Sequence, residues 1–336
     1  MKKKNKILPT ILITYVSERV KYLKRLIDYY KDYDGDIIFA GPKFDVNFKI
    51  PNNFNFYFTD EVDLYEKIIS CEDRINSDLV VWSAEDDFVC KRFLNKAALK
   101  LTNQNIVAVD GYALKFSEKK LKLINDYYFW HHLRNLFSLG NMRGASIEER
   151  ISNMGDMFTG QPVHSVCRKD AFFEAWTLAS KKPLKQLKWS DKIVTFGLLI
   201  NGEIAYFPVL AHFRSIGLDL KSEKFHPKIF KKSFNQIFES KEALEILVNY
   251  LIKKFNFEEN KAQMLVDSYL NNITRYYLNN QYDYKNSNFF SKFFKKLIIK
   301  FLIPSKIFNF GFFPENYILT RNEINEIFSI IKKNKK

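Results

Sequence analysis

Five short apolar runs punctuate the first third of the chain: ILITYV at 11–16, DIIFAG at 36–41, FNFYF at 54–58, DLVVWS at 78–83 and NIVAVD at 105–110. Between them lie stretches such as RVKYLKRLIDYYK and VDLYEKIISCEDRI, whose apolar residues recur at helical spacing. A strand that is apolar along its whole length has no face to offer water, so it must be covered on both sides, and amphipathic helices placed between such strands supply the covers. The expectation is an α/β fold with a mostly parallel sheet between helices.

The alternation resumes after residue 162. VHSVCRKDAFFEAW reads as strand into helix, LKWSDKIVTFGLLINGEI as a helix stopped at Gly202, and AYFPVLAHFR as strand and turn. Residues 138–162, with four glycines and no clean period, read as a long loop over the ligand-binding edge. Beyond Gly217 the only glycine is Gly311, and periodic stretches such as KEALEILVNYLIKKF dominate. The chain therefore divides into an α/β unit over 1–217 and a mainly helical region over 218–336.

Within that second region, NFFSKFFKKLIIKFLIPSK sets Phe290, Phe293, Phe294, Leu297 and Phe301 on one side of a helix and Lys292, Lys295, Lys296 and Lys300 on the other. A basic amphipathic segment of this kind, spanning about 287–306, suits either an anionic membrane interface or the surface of its own domain.

Composition narrows the setting. A net charge of +15 attracts polyanions, whether nucleic acid, an anionic membrane face or a phosphorylated small molecule. No RNA- or DNA-reading motif accompanies the charge, so a basic nucleic-acid-binding protein is the rival from another class rather than the leading reading. Three widely spaced cysteines give neither a disulfide framework nor a thiolate zinc site, which implies a reducing, cytoplasmic location. The basic start MKKKNKILPTILITYV holds a proline within a short apolar run and no small-residue cleavage site, and reads as a first strand. No window reaches the roughly 20 apolar residues that a spanning helix needs, so the expectation is a soluble protein or one peripheral on the inner face of the cell membrane.

The residues with chemical potential cluster where an apolar strand meets charge. Leu79 to Trp82 run straight into Glu85, Asp86 and Asp87. Three adjacent acids repel one another, so they sit in water, pair with bases or hold a cation. Glu85 and Asp87, alternate in an extended segment, point the same way and could offer oxygen ligands to Mg²⁺ or Mn²⁺. A solvated turn, or acids favouring the start of the following helix KRFLNKAALKL, explains the same letters.

The order of strands and helices, with an apolar strand ending in a DXD-like triplet, resembles the GT-A glycosyltransferases, nucleotide-sugar-dependent enzymes with a Rossmann-like core. The resemblance implies that Glu85, with Asp86 beside it, approaches the nucleotide ribose and that Asp87 holds a metal bound to the diphosphate. The first acid here is Glu where that family has Asp.

A second segment, WSDKIVTFGLLINGEIAYFPVLAHFR, is similar to the family-two-like members, with a carboxylate at a helix start, a glycine, a short strand and a histidine in that order. This implies Asp191 as general base, His212 as a second metal ligand, and Arg214 and Arg19 on the nucleotide-sugar, although Asp191 or Ser190 could equally cap the helix. The family more often has two acids where Ser190, Asp191 and Lys192 stand. Arg143, Arg150 and the GPKFD turn at 41–45 are weaker candidates for phosphate contact. His131 and His132, adjacent in a helical stretch, point about 100° apart and make a poor joint site.

The implied activity is a metal-assisted, inverting hexosyl transfer, from a UDP-sugar above all, to a hydroxyl of a bacterial surface glycan or glycolipid of the lipopolysaccharide or capsule kind. A metal-independent transferase using a CMP-activated acidic sugar is the near alternative. No G-x-S-x-G, Walker A or G-x-G-x-x-G pattern suggests another chemistry.

Overall fold

The structure is a computed structural model of the 336-residue chain, and it describes residues 8–45, 49–61, 63–118, 121–124, 142–154, 162–186, 190–216, 240–286 and 317–334. The apolar runs become strands: β1 (Thr10–Thr14), β2 (Ile37–Gly41), β3 (Phe54–Phe58), β4 (Leu79–Ala84), β5 (Phe88–Val89), β6 (Ile106–Ser117), β7 (Lys122–Ile124), β8 (Val166–Arg168) and β9 (Glu203–Ile216). They join in one sheet of order β3-β2-β1-β4-β8-β6-β9-β5, with β7 on β6. Strands β1 to β4, β6 and β9 run the same way, and β8 is antiparallel to both β4 and β6. The sheet is thus mostly parallel, as the unbroken apolar strands required.

Side chains of each strand alternate between two cores. On one face Ile11 and Ile13 of β1 and Val81 of β4 pack with α1 (Leu23–Tyr30), α3 (Lys91–Lys100) and the last helix, α9 (Tyr317–Lys333). On the other, Leu12 and Val80 pack with α2 (Leu64–Ile69), α4 (Ile147–Met154), α5 (Lys169–Ser180), α6 (Ser190–Asn201), α7 (Lys241–Phe255) and α8 (Glu259–Asn286). The region after residue 217 is helical wherever it is described, and its helices complete both cores. Tyr29 on α1 donates to Glu323 on α9 at 2.7 Å, and Tyr269 on α8 donates to the Lys192 carbonyl on α6 at 2.6 Å.

Three local readings need correction. Residues 147–154, expected as loop, form α4, because Ile147, Ile151 and Met154 fall on one buried face. Ser146 accepts from the Glu149 amide while the Glu149 carboxylate accepts from Ala145 and Ser146, a capping box that starts the helix. Strand β6 does not stop at Asp110 but runs on through Gly111 to Ser117. AYFPVLAHFR ends not in a turn but as the continuous β9, whose partner along its full length is that extended β6. His131 and His132, the 287–306 segment and, within the 138–162 stretch, residues 138–141 and 155–161 lie outside the described residues. Among the described residues, no helix is long and apolar enough to cross a membrane.

Gly111 explains the extension. A Cβ there would lie 2.5 Å from the Val209 carbonyl oxygen and 2.8 Å from the Ala211 Cβ, at a point where the β6–β9 register shifts. Gly111→Ala is therefore predicted to destabilise the chain by about 1–3 kcal/mol, the usual cost of overpacking a core. Denaturant unfolding measures it, and an unchanged midpoint would show that the two backbones are not so closely apposed.

Candidate functional site

Strands β1, β2 and β3 succeed one another in one direction across the sheet, and β4 then pairs on the other side of β1. That reversal leaves a crevice beyond the carboxyl ends of β1 and β4, the place where open α/β sheets take their ligands. The chain leaving β1 carries Arg19, and the chain leaving β4 carries Glu85, Asp86 and Asp87. Because β6 and β9 run parallel to them, Glu118 just past β6 and Arg214 and Ser215 near the end of β9 arrive at the same edge.

The acids are not solvated. Glu85 and Asp87 are 6% and 5% exposed, which leaves hydrogen bonds and ion pairs to offset their desolvation and mutual repulsion. Arg19 meets Glu85 at 2.9 Å and Asp86 at 3.3 Å. Arg214 Nε donates to Asp87 Oδ2 at 3.0 Å, and the Ser215 amide donates to Asp87 Oδ1 at 2.8 Å. A third guanidinium comes from α1: Arg25 donates to the Asp86 backbone carbonyl at 2.7 Å and to Glu118 at 2.6 Å. Glu118 also accepts from the Ser215 hydroxyl at 2.9 Å. Five residues singled out in the sequence, Arg19, Glu85, Asp86, Asp87 and Arg214, thus form one network.

Electrostatics within the turn are unequal. Burial, then the charges of Asp87 and Glu85, push the Asp86 carboxyl up to about 7, against the opposing pull of Arg19 and Arg25. The turn therefore exchanges a proton near neutrality. Lys67 on α2 is also buried and donates to the Tyr15 carbonyl at 3.0 Å; desolvation pulls its ammonium below the ordinary value, and Glu85 opposes that shift.

His212 and Asp191 sit differently. His212 lies on β9 opposite Val89, 2% exposed, its ring 6.1 Å from Phe93 and 5.4 Å from His164, whose own ring stacks on Trp82 of β4. Burial, followed by the charge of Arg214, pushes His212 down to about 3, so it is neutral. Asp191 opens α6, ion-paired to its neighbour Lys192, and its backbone carbonyl accepts from Thr195 at 2.6 Å. Among the described residues no hydrogen bond or ion pair joins Asp191 to the acidic turn. The link is one of packing: α6 lies against the 162–164 turn, which carries His164 under Trp82.

A divalent cation would need donors free to receive it. Both Asp87 oxygens are engaged, and His212 Nε2, though without a hydrogen-bond partner, is buried beside Phe93 and His164. Among the described residues no three His, Cys, Asp or Glu side chains gather as a metal-binding group. The donor set as arranged does not fit a cation, and the turn is neutralised by guanidinium groups.

Of the weaker candidates, Arg150 is buried and donates to the Leu199 and Ile200 carbonyls at 2.7 and 3.1 Å, capping the end of α6, while Arg143 pairs with Glu203 at 3.0 Å. Both serve local structure. In the GPKFD turn, the Pro42 carbonyl accepts from the Tyr15 hydroxyl at 2.7 Å. The residues that sequence reasoning missed are Arg25, Glu118, Ser215 and Lys67. Only Arg25 left a trace, as a charge on the otherwise apolar, buried face of α1.

No protein-family model matches the chain, and no curated protein matches it. Solved structures that resemble it include S. aureus TarS 1-349 alone, at 11% identity and TM-score 0.47, covering 98% of this chain and 91% of that one. The same protein in complex with UDP-GlcNAc gives 10% identity and TM-score 0.49, covering 98% and 92%. Its complex with UDP gives 9% and 0.48, covering 98% and 91%. With TM-scores below 0.5, these likenesses fix neither fold nor function, and the fold rests on the strand order itself.

The raised Asp86 value carries a pH signature. Because the folded chain holds this proton more tightly than the ordinary 3.8 of a free carboxyl, the associated stability is complete at low pH and is lost as pH rises towards about 7. Asp86→Asn, which cannot ionise, should gain thermal stability over the parent between about pH 4 and pH 7 and hold that gain above. Melting curves across this range test it; a difference that does not grow with pH would contradict the buried, like-charged setting of Asp86.

Proposed function

We propose that the chain is a glycosyltransferase that binds a nucleotide-sugar at the acidic turn and transfers the sugar to an acceptor hydroxyl. The observation that carries this reading is the buried acidic turn at the crevice between β1 and β4, flanked by two arginines that are not themselves buried. Arg19 and Arg214 side chains are 26% and 35% exposed, so each meets its carboxylate partner at the solvent-facing mouth of the crevice. A guanidinium fork matches the paired oxygens of a diphosphate, and two forks on either side of the turn supply the charge that a departing nucleotide needs. Glu85, at the end of β4, would accept from ribose hydroxyls in this reading.

In this mechanism Asp191 takes the proton from the acceptor hydroxyl as it attacks the anomeric carbon. The C–O bond to the nucleotide breaks as the new glycosidic bond forms, with inversion, and the diphosphate leaves against Arg19 and Arg214. Lys192 holds the Asp191 carboxylate by its ion pair. A UDP-sugar donor and a surface glycan or glycolipid acceptor complete the proposal, the acceptor being motivated by the cationic aromatic run at 287–306.

Two substitutions separate the roles. Asp191→Asn is expected to lower kcat by about 10²- to 10⁴-fold, the range for general bases, while donor affinity stays close to that of the parent. Steady-state transfer assays over a panel of nucleotide-sugars check this, and retained turnover in a folded variant would remove Asp191 as base. Arg214→Met should instead weaken donor binding by about tenfold or more, because the diphosphate loses a charge-assisted partner. Calorimetric titration with each nucleotide-sugar, repeated in EDTA, measures it. Unchanged affinity would take the diphosphate away from Arg214, and affinity abolished by EDTA would restore a cation to the turn.

A further inference from the structure

The assignment of Arg19 and Arg214 to the donor leaves one pair in the same network without a role. Arg25 and Glu118 lie 93 positions apart, are joined at 2.6 Å, and have side chains only 4% and 9% exposed. Neither presents a surface to a ligand. Each, however, holds a different piece of the site. Arg25 donates its second bond to the Asp86 backbone carbonyl, at the centre of the acidic turn. Glu118 accepts from the hydroxyl of Ser215, whose amide in turn donates to Asp87. The Arg25 guanidinium is itself held between the rings of Tyr22 and Phe88, at 4.3 and 5.3 Å from their centroids.

We propose that Arg25 and Glu118 are a positioning couple, which locks the 85–87 turn to the end of β9 so that the two donor-binding arginines face one another at a fixed spacing. This inference rests on the reading of the turn as the nucleotide-sugar site. The geometry makes it specific. Turn 85–87 joins β4 to β5, and β5 pairs with β9 at Phe88↔Phe213 and Val89↔His212, so the trailing end of the turn is already held beside residues 214–215. Asp87 adds its bonds to Arg214 and to the Ser215 amide. The couple adds a tie at the centre of the turn, from the Asp86 carbonyl through Arg25 and Glu118 to Ser215. The ladder and Asp87 hold the trailing end of the turn; the couple holds its middle residue, whose carboxylate meets Arg19. A guanidinium is required at position 25, because its planar fork meets two acceptors at once, and lysine offers no such fork.

A structural role and a positioning role predict different outcomes. Replacing a buried ion pair by apolar side chains of similar size is often neutral for stability. The double variant Arg25→Met/Glu118→Met is therefore expected to melt within about 3 °C of the parent, yet to bind nucleotide-sugar at least about tenfold more weakly. Arg25→Lys, which keeps the charge and loses the fork, should fold and show a similar loss of affinity. Donor titration of the parent full-length chain, run alongside, separates the two claims. If the parent binds no nucleotide-sugar, the functional reading fails; if it binds and either folded variant binds equally well, the positioning couple is overturned. Should the double variant fail to fold, Arg25→Lys and Glu118→Gln decide: full donor affinity in either refutes the proposal, and a tenfold loss in both sustains it.

Discussion

Three adjacent carboxylates at the end of a buried strand repel one another, and much of the arrangement around them answers that repulsion. Water cannot do so, because Glu85 and Asp87 are almost wholly covered. Three guanidinium groups do it instead, and each is delivered by a different part of the fold: Arg19 by the chain leaving β1, Arg25 by α1 and Arg214 by β9. A parallel sheet is what allows this convergence, since strands running the same way bring all their exits to one edge. The antiparallel β8 seats β6 and β9 beside the β1–β4 half while keeping their direction, so that Glu118 and Ser215 reach the same edge.

Much of the fold was legible because its signal is local. The runs at 11–16, 36–41, 54–58 and 78–83 lie within a residue or two of observed strands, since a strand covered on both faces announces itself by unbroken apolarity. The failures were places where a distant element decides. Gly111 looks like punctuation, yet β9 presses so close that only glycine lets β6 pass. Residues 147–154 looked like loop because glycines flank them, although the Ser146 to Glu149 capping box was present in the letters. The pairing of β6 with β9, separated by nearly a hundred residues, has no local signature at all.

The same division governs the site. Acids following an apolar strand and arginines following β1 and β9 stand out in the sequence, and the fold brings them together. Arg25 and Glu118 could not be read as a pair, because nothing in either neighbourhood specifies a partner 93 positions away. His212 shows what the letters leave out: a histidine on a strand invites a ligand role, and its burial beside Phe93 and His164, which keeps it neutral, depends on distant residues. Asp191 was found by its place at a helix start, and the structure gives it a partner in Lys192 rather than in the turn. Charge is thus handled twice over in this molecule, by long-range guanidinium pairs at the turn and by a local ion pair at α6.

The central claim is that the guanidinium groups about the acidic turn receive a diphosphate. A crystal structure of the chain with a bound nucleoside-diphosphate sugar tests it most directly. The account predicts the diphosphate between Arg19 and Arg214 at the carboxyl ends of β1 and β4, with Arg25 still bonded to Glu118 and to the Asp86 carbonyl. A diphosphate seated elsewhere, or one that reaches the turn only after Arg25 has left Glu118, would contradict it.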